Sequence, residues 1–268
     1  MSNFITLGGL PRTGSTLLCN ILNQNPDFFA SSTSPIPMVI QNMSNSFSEQ
    51  PEIVNYLVSE EDCYRKMANC ARAVIDQWYS DREEKYIIDK SRLWNCMSLI
   101  YSDLYPDGKM IITVRDPRNI MASMEKQYRR SPLLAGSHII QNKDLIGRIE
   151  NSFSPDGMIG GAMLGVIDLI ARKMNNVLFV RYEDLISSTD RTLDDIYKFL
   201  DIERYEHNLD NIESISNEVD EMYQNKFPHK VKSTIKPSTT DWRDYIEDNL
   251  AMEILNKYPV YKNRFHYQ

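Results

Sequence analysis

The sequence predicts an α/β fold in three layers, in which helices cover both faces of a central parallel sheet. Short apolar stretches typical of buried strands alternate with longer stretches of helical periodicity. Strands that alternate with helices in this way form parallel sheets, because a long crossover must return the chain to the start of the next strand. A glycine-bounded loop between the first strand and the first helix, at residues 9–14, is the second observation.

The predicted strands are short and rich in apolar residues. They are Phe4–Leu7, Tyr86–Asp89, Met110–Val114 and Val177–Val180. The predicted helices are a first one that carries Leu17–Leu22 and stops at Asn25-Pro26, then Glu61–Tyr79, Leu93–Leu104, Pro117–Tyr128, Met158–Ala171, Asp190–Leu200 and Leu250–Leu255. Asp116-Pro117 is typical of a helix start, since aspartate caps the first turn and proline fits the first helical position.

Length and composition indicate an ordinary globular protein. The 268 residues contain no internal repeat or long linker, so we expect a single domain over residues 1–268. Hydrophobic residues make up 42% of the chain and charged residues 25%, as in soluble proteins generally. The formal net charge of −7 argues against a nucleic-acid partner. A strongly anionic ligand must therefore be held by a local cluster of basic residues.

The sequence also predicts the compartment. Its first residues lack the basic and apolar regions of a secretory signal. No apolar run reaches the roughly 20 residues that a membrane helix needs, so we expect no membrane partner. The four cysteines form neither a C-x-x-C pair nor a zinc spacing. We therefore expect a cytoplasmic protein with reduced, buried thiols.

The loop after the first strand follows the pattern of a phosphate-binding loop with one departure. From Gly9 it matches G-x-x-x-x-G-K-[ST], with Ser15 in the place of the lysine. Backbone N–H groups of such a loop and the following helix form an anion site. The missing lysine is the one that reaches the β- and γ-phosphates in nucleotide triphosphatases, and Arg12 supplies a cation three residues earlier. The pattern predicts a P-loop-type fold that binds the 5′ anions of a nucleotide without cutting a γ-phosphate.

Basic residues follow the predicted strands. They are Arg12, Lys90, Arg115 and Arg181. Because the carboxyl ends of parallel strands meet at one edge of the sheet, these four cations predict a site there for a multiply charged anion. Ser123 lies eight residues after Arg115, in the second turn of the next helix. The arginine and the serine hydroxyl can therefore face one anion together.

Together these motifs resemble the sulfotransferases that use 3′-phosphoadenosine 5′-phosphosulfate (PAPS). The matching segments are Pro11–Thr16, Val114–Arg118 with Ser123, Val180–Leu185 and Lys230–Pro237. The third is similar to the Y-E-D-L segment of the family. The fourth is similar to the cofactor loop of tyrosylprotein sulfotransferases, in a shorter form. The four segments span residues 11–237 in the order of the family.

The resemblance implies a role for each matching residue. The residues implied to bind the cofactor are Arg12 (bridging and sulfuryl oxygens), Thr13, Gly14, Ser15 and Thr16 (5′-phosphate), Arg115 and Ser123 (3′-phosphate), Tyr182 and Lys236 (nucleotide) and Ser233 (transferring group). The residues implied to be catalytic are Arg12, Lys90 and Ser233, with Lys90 in the place of the family's lysine after a middle strand. Fixed cations at these positions would stabilise the charge of a leaving phosphate.

The implied reaction is the metal-independent transfer of a sulfuryl group from PAPS to an acceptor hydroxyl on a small molecule, glycan or peptide. Two alternatives stay open. One is a P-loop nucleotide kinase in which Asp116 binds Mg²⁺, against which the serine at position 15 argues. The other is a non-catalytic nucleotide-binding module. The sequence does not indicate the acceptor or the oligomeric state.

The sequence does not identify a general base. Tyrosylprotein sulfotransferases carry a glutamate about where Ser32 or Thr33 stands here, and cytosolic sulfotransferases carry a histidine where Arg92 stands. Asp89 and His138 are the remaining candidates, although either could equally be a structural residue. An acidic acceptor such as a phenol would need little help from a base.

Overall fold

A computed structural model of the protein describes residues 3–56, 59–130, 144–214, 233–235 and 240–268. Within these ranges, one parallel sheet contains β1 (Asn3–Gly9), β2 (Phe28–Ala30), β3 (Tyr86–Lys90), β4 (Met110–Val114) and β5 (Val177–Arg181). The strand order is β2-β3-β1-β4-β5, which puts the first strand in the middle. The predicted α/β class is confirmed, and β2 is a strand that was not predicted.

Helices lie on both faces of the sheet. The α-helices of the described ranges are α1 (Ser15–Leu22), α2 (Ile36–Glu49), α3 (Pro51–Tyr56), α4 (Glu60–Trp78), α5 (Ser98–Leu104), α6 (Pro117–Arg130), α7 (Leu145–Ser152), α8 (Gly160–Arg172), α9 (Tyr182–Ser187), α10 (Thr189–Leu200), α11 (Asp248–Asn256) and α12 (Pro259–Phe265). Two short 3-10 helices cover Arg92–Cys96 and Trp242–Asp244. None of these helices is long and apolar enough to cross a membrane.

The single helix predicted over Leu93–Leu104 is wrong. The chain forms a 3-10 helix up to Cys96 and then α5, because the backbone of Met97 leaves helical geometry with φ −114° and ψ 20°. The break turns Asn95 toward the loop after β1, and the next paragraphs depend on that contact. A continuous α-helix would have carried this side chain elsewhere.

Two apolar clusters lie on opposite faces of the sheet. Successive strand residues point to opposite faces, so Phe4 and Ile87 join the cluster on one face while Ile5 and Ile88 join the cluster on the other. Helices α1 and α10 cover the second face. A sheet buried on both faces explains why the strands are continuous apolar runs without polar alternation.

The register of the sheet brings the predicted site residues to one edge. Leu7 of β1 is paired with Lys90 of β3, and Gly9 of β1 is paired with Thr113 of β4. The loop that follows β1 therefore begins between the ends of its two neighbours. As a result, the residues that follow β4, beginning with Arg115, lie on the opposite side of this loop from Lys90.

All four cysteines are free thiols, as predicted, but the prediction that they are buried is wrong for three of them. Cys19 is buried, whereas Cys63 is half-buried and Cys70 and Cys96 are exposed. Cys63 and Cys70 belong to α4, whose buried side chains are Met67, Ala71 and Ile75. These two cysteines therefore lie off the stripe that α4 packs against the core.

Asn95 fastens the end of β1 to the helices around it. Its side chain is fully buried. The Oδ1 atom accepts the Gly9 N–H at 2.7 Å, and Nδ2 donates to the Gly9 carbonyl at 2.9 Å and to the Ala162 carbonyl of α8 at 3.2 Å. One amide group thus satisfies both backbone groups of the first residue of the loop.

Replacing Asn95 by alanine should lower the free energy of unfolding by about 1–3 kcal/mol, because buried backbone groups of Gly9 and Ala162 lose their partner. Urea denaturation followed by circular dichroism measures the change. Asn42→Ala, at an exposed position of α2, is the control and should stay within about 0.5 kcal/mol of wild type. Equal effects of the two substitutions would show that the Asn95 bonds contribute nothing specific.

Candidate active site

Glycine is required at both ends of the loop between β1 and α1. Gly9 has φ +137°, and a Cβ atom there would lie 2.2 Å from Thr113 Oγ1 and 2.4 Å from the Thr113 carbonyl oxygen. Gly14 has φ +79°, and a Cβ atom there would lie 2.9 Å from the Tyr182 ring. Gly14 is also the N-cap of α1 and makes no side-chain cap. The first N–H groups of α1 are therefore left to bind an anion.

Arg12 lies at the centre of a cluster of anion-binding side chains. Its Nε donates a hydrogen bond to Ser123 Oγ at 3.2 Å, and its backbone carbonyl accepts one from Arg115 Nη1 at 2.9 Å. The backbone of Arg12 is left-handed, with φ +60°, which costs a residue with a Cβ atom about 1 kcal/mol. Residues from three segments that are far apart in sequence thus meet where β1 and β4 end.

The two arginines of this cluster create a region of positive potential. Arg115 is buried, with its guanidinium carbon 4.1 Å from the centre of the Tyr182 ring, and burial lowers its pKa. Arg12 keeps contact with solvent, but the dense protein around it removes much of its hydration. This desolvation, followed by the charge of Arg115, lowers the pKa of Arg12. Arginine stays charged at any ordinary pH, so the two cations attract an anion to this edge of the sheet.

Lys90 approaches the same loop from β3. It is buried, and its Nζ donates to Thr16 Oγ1 at 3.0 Å, in the first turn of α1. Its backbone N–H donates to Ser31 Oγ at 2.8 Å, and its carbonyl accepts the Ser34 N–H at 2.9 Å. The loop after β2 therefore fixes the lysine backbone on both sides and directs its ammonium group toward the start of α1.

The side chain of Thr13 is turned away from the start of α1. It is buried, and its hydroxyl bonds the Leu10 carbonyl and Thr113 Oγ1, each at 2.7 Å. The side chain therefore holds the loop closed. Contact of Thr13 with a phosphate through its backbone N–H stays a prediction.

The prediction that four basic residues share the anion site is wrong for Arg181. Its guanidinium lies 4.0 Å from a carboxylate oxygen of Glu183 and 3.7 Å from one of Asp184. It also lies over the ring of Tyr267, 5.3 Å from the ring centre. Arg181 ends β5, an edge strand, and these partners on α9 and after α12 hold it there.

The later cofactor loop is described only in part. The Ser233 carbonyl accepts the Ile212 N–H at 2.7 Å, which places Ser233 beside the segment that follows α10. Its contact with a transferring group stays a prediction. Lys236 and the candidate base His138 lie outside the described residues.

The second candidate base, Asp89, is built into the core. It is fully buried and accepts hydrogen bonds from Tyr79 Oη at 2.5 Å and from Trp94 Nε1 at 2.6 Å. Burial raises its pKa, against these hydrogen bonds, which lower it. Asp89 points to the opposite face of β3 from Lys90. This position argues against direct contact between Asp89 and an acceptor.

Glu183 is a residue of the site that sequence reasoning missed. It lies in the Y-E-D-L segment, and its Oε1 accepts the N–H of Asp116 at 3.1 Å. Its position in a recognised motif was a signal that could have found it. The bond joins the segment of Tyr182 to the segment of Arg115, so the two motifs are parts of one site.

A family model described as the sulfotransferase family matches residues 5–207. The chain therefore belongs to the sulfotransferase family and is a sulfotransferase enzyme. The alternative of a nucleotide kinase is not favoured by this match. Within the family, the likeness to the tyrosylprotein branch is a weaker detail than the family itself.

Two curated relatives extend the comparison. Protein-tyrosine sulfotransferase 2 of Gallus gallus is 26% identical over 206 residues, which cover 74% of this chain and 51% of the relative. Nodulation protein NoeE of Sinorhizobium fredii is 25% identical over 128 residues, which cover 45% of this chain and 30% of the relative. The chain spans about half or less of the length of these relatives.

Solved structures share the fold. The sulfotransferase domain from the curacin biosynthetic pathway has a TM-score of 0.60 at 15% identity and covers 97% of this chain and 98% of its own. A mouse sulfotransferase complexed with 3′-phosphoadenosine 5′-phosphate (PAP) has a TM-score of 0.54 at 15% identity, with 95% of this chain and 84% of its own covered. These likenesses confirm the three-layer P-loop-type fold.

Asp89 should make the protein less stable as the pH rises. Its pKa is higher in the folded than in the unfolded chain, so the folded protein binds more protons and loses stability through this group from about pH 4 upward. The free energy of unfolding of wild type should therefore fall with pH relative to that of Asp89→Asn, as measured by urea denaturation between pH 4 and 8. Asp107→Asn, at an exposed turn, controls for the loss of one carboxylate. A wild-type advantage that grows with pH would contradict the raised pKa.

Proposed function

We propose that this chain transfers a sulfuryl group from PAPS to an acceptor hydroxyl without the help of a metal ion. The cluster of Arg12, Arg115 and Ser123 beside the start of α1 carries this proposal. It offers cations for two separate anionic groups of one nucleotide. A mouse sulfotransferase and a retinol dehydratase of the same fold have been solved with PAP, which supports PAPS as the donor.

The residues around the loop fit such a nucleotide. The glycines at positions 9 and 14 leave no room for a Cβ atom, which is expected where a backbone must pass close to a ligand. The open N–H groups of α1, from Ser15 and Thr16 onward, would hold the 5′-phosphate. Arg115 and Ser123 would hold the 3′-phosphate. Tyr182, which lies against Gly14 and under Arg115, would contact the nucleotide between the two anions.

PAPS, when bound, supplies the sulfuryl group and a phosphate as leaving group. The role of the protein is then mainly electrostatic. Arg12 and Lys90 hold fixed positive charges beside the first turn of α1, where negative charge would develop on the leaving phosphate. Preorganised charges of this kind are among the largest contributions to catalysis. Ser233 and Lys236 of the later loop would complete the site from the other side.

The acceptor is proposed to be a hydroxyl on a small molecule, glycan or peptide. The name of the Gallus gallus relative refers to tyrosine in proteins, and the retinol dehydratase structures contain retinol or androsterone. The position of Asp89 in the core leaves this carboxylate unsuited to remove the acceptor proton. An acceptor with an acidic hydroxyl, such as a phenol, fits these residues best.

The contacts of Asp116 argue against a magnesium-dependent kinase. Asp116 is buried, its carboxylate binds the Arg118 side chain at 2.7 Å, and it accepts the Arg118 N–H at 2.9 Å. Its charge is thus compensated within the protein and its oxygens cap α6. A carboxylate used in this way is a poor ligand for the metal of a nucleotide triphosphate.

PAP should bind without Mg²⁺, and the binding should depend on its 3′-phosphate. At 100 times Kd, PAP should stabilise the protein by about 2.7 kcal/mol in a thermal-shift assay. Adenosine 5′-phosphate (AMP) should bind more weakly. Arg115→Ala should weaken PAP binding by about tenfold or more, since it removes charge-assisted hydrogen bonds, and should leave AMP binding almost unchanged. Ser123→Ala should have the same effect in a milder form.

Stabilisation by ATP with Mg²⁺ but not by PAP would contradict the proposed donor. Arg172→Ala is the matched control for Arg115→Ala, because Arg172 pairs with Asp168 on the surface of α8. An equal loss of affinity of Arg115→Ala for PAP and AMP would place Arg115 in the fold or at the 5′ end.

Arg12→Ala should lower turnover far more than nucleotide affinity. The N–H groups of α1 would still hold the 5′-phosphate, while the developing charge would lose its cation. A fall in kcat on the order of 10²–10³ is expected for the loss of one such group. Transfer of ³⁵S from labelled PAPS to a panel of phenols, sugars and peptides measures it and also identifies the acceptor. An unchanged kcat with a raised KM would make Arg12 a binding residue only, and no transfer by wild type would favour a non-catalytic module.

A further inference from the structure

One buried tyrosine holds the backbone of Arg115 on both sides. Tyr261 lies in α12 and is fully buried. Its hydroxyl donates a hydrogen bond to the Arg115 carbonyl at 2.8 Å and accepts one from the Arg115 N–H at 3.0 Å. A single phenol thus engages both polar groups of one residue, 146 positions earlier in the chain.

These bonds act where the sheet no longer supports the chain. The ladder between β4 and β5 ends at the pair Val114 and Arg181. Arg115 follows directly and turns the chain toward α6, while its guanidinium reaches the Arg12 carbonyl and the Tyr182 ring. Because a long side chain amplifies small rotations of its own peptide, the position of the guanidinium depends on how firmly this backbone is held.

The same segment also holds the neighbouring motif. Tyr267 Oη donates to Glu183 Oε2 at 3.1 Å, and the other oxygen of Glu183 accepts the Asp116 N–H at 3.1 Å. The rings of Tyr261 and Tyr267 are stacked, with their centres 5.8 Å apart and an interplanar angle of 22°. The two hydroxyls therefore act from one rigid aromatic unit on two adjacent residues of the candidate nucleotide site.

We propose that Tyr261 is a positioning residue of the nucleotide site. It fixes the backbone of Arg115 and thereby sets how strongly the protein distinguishes a nucleotide with a 3′-phosphate from one without it. This inference rests on the proposed function, because it deepens the role given there to Arg115. Tyr261 itself contacts the arginine backbone and touches no reacting group.

The chain offers a matched control in the same segment. Tyr258 is also buried, and its hydroxyl donates to the Phe153 carbonyl at 3.1 Å, far from the anion cluster in sequence and fold. Tyr261→Phe and Tyr258→Phe remove the same atom from neighbouring buried tyrosines. A merely structural role predicts similar effects of the two changes, whereas a positioning role separates them.

The experiment compares the Kd values of PAP and AMP for wild type and the two variants, by isothermal titration calorimetry without metal. Tyr261→Phe should weaken PAP binding by about 2- to 10-fold, the range that corresponds to one ordinary hydrogen bond. It should change AMP binding less than about twofold. Tyr258→Phe should leave the ratio of the two Kd values as in wild type, even where urea denaturation shows that both variants have lost stability.

Equal weakening of PAP and AMP by Tyr261→Phe, or a shift of the ratio by Tyr258→Phe of the same size, overturns the inference. If wild type itself does not prefer PAP, the proposed function fails first. If Arg115→Ala abolishes the preference while Tyr261→Phe preserves it, the proposed function stands and the inference falls. Should Tyr261→Phe not fold, Tyr267→Phe takes its place and must shift the ratio in the same direction, by a smaller factor.

Discussion

The hydrogen bonds between Asn95 and Gly9 set the position of everything that follows β1. Gly9 lies between the Asn95 amide on one side and Thr113 on the other, so the chain can leave the sheet in one direction only. That direction brings Arg12 over the end of β4 and starts α1 beside Lys90. A loop with free ends could adopt many shapes, but this one is closed between two strands, and its cations are therefore held in place before any ligand binds.

Such preorganisation has an electrostatic cost that the rest of the site reduces. Arg115 loses hydration on burial, and a second guanidinium lies close to it. The Tyr182 ring and the Arg12 carbonyl offer Arg115 a π-face and a hydrogen-bond acceptor, which compensate part of the lost hydration. Neither partner neutralises the charge. The site thus stabilises two arginines while keeping their positive potential for a ligand, which a salt bridge to a carboxylate would have cancelled.

The sequence predicted the parts of the fold that local patterns encode. Apolar runs marked four strands, and the cap at Asp116 marked the start of α6, because these signals depend on neighbours in sequence. Three-residue β2 is too short to show a period. The break at Met97 and the ion pairs of Arg181 arise from tertiary contacts that no local pattern reports.

The candidate site divides along the same line. Arg12, Lys90, Arg115 and Ser123 could be predicted because each follows a strand or a motif. Asn95 and Tyr261 act on the backbone of residues 86 and 146 positions away, and nothing in their own neighbourhood distinguishes them from ordinary core residues. Long-range support of this kind becomes visible only when the chain is folded.

The left-handed backbone of Arg12 has a consequence for how this protein could change over time. At φ +60° the backbone favours glycine or asparagine, while the anion site favours a cation. Selection for stability alone would therefore tend to remove the arginine, and only selection for the reaction would keep it. A copy of this chain released from its catalytic duty would be expected to lose this residue early and to become more stable as it loses activity.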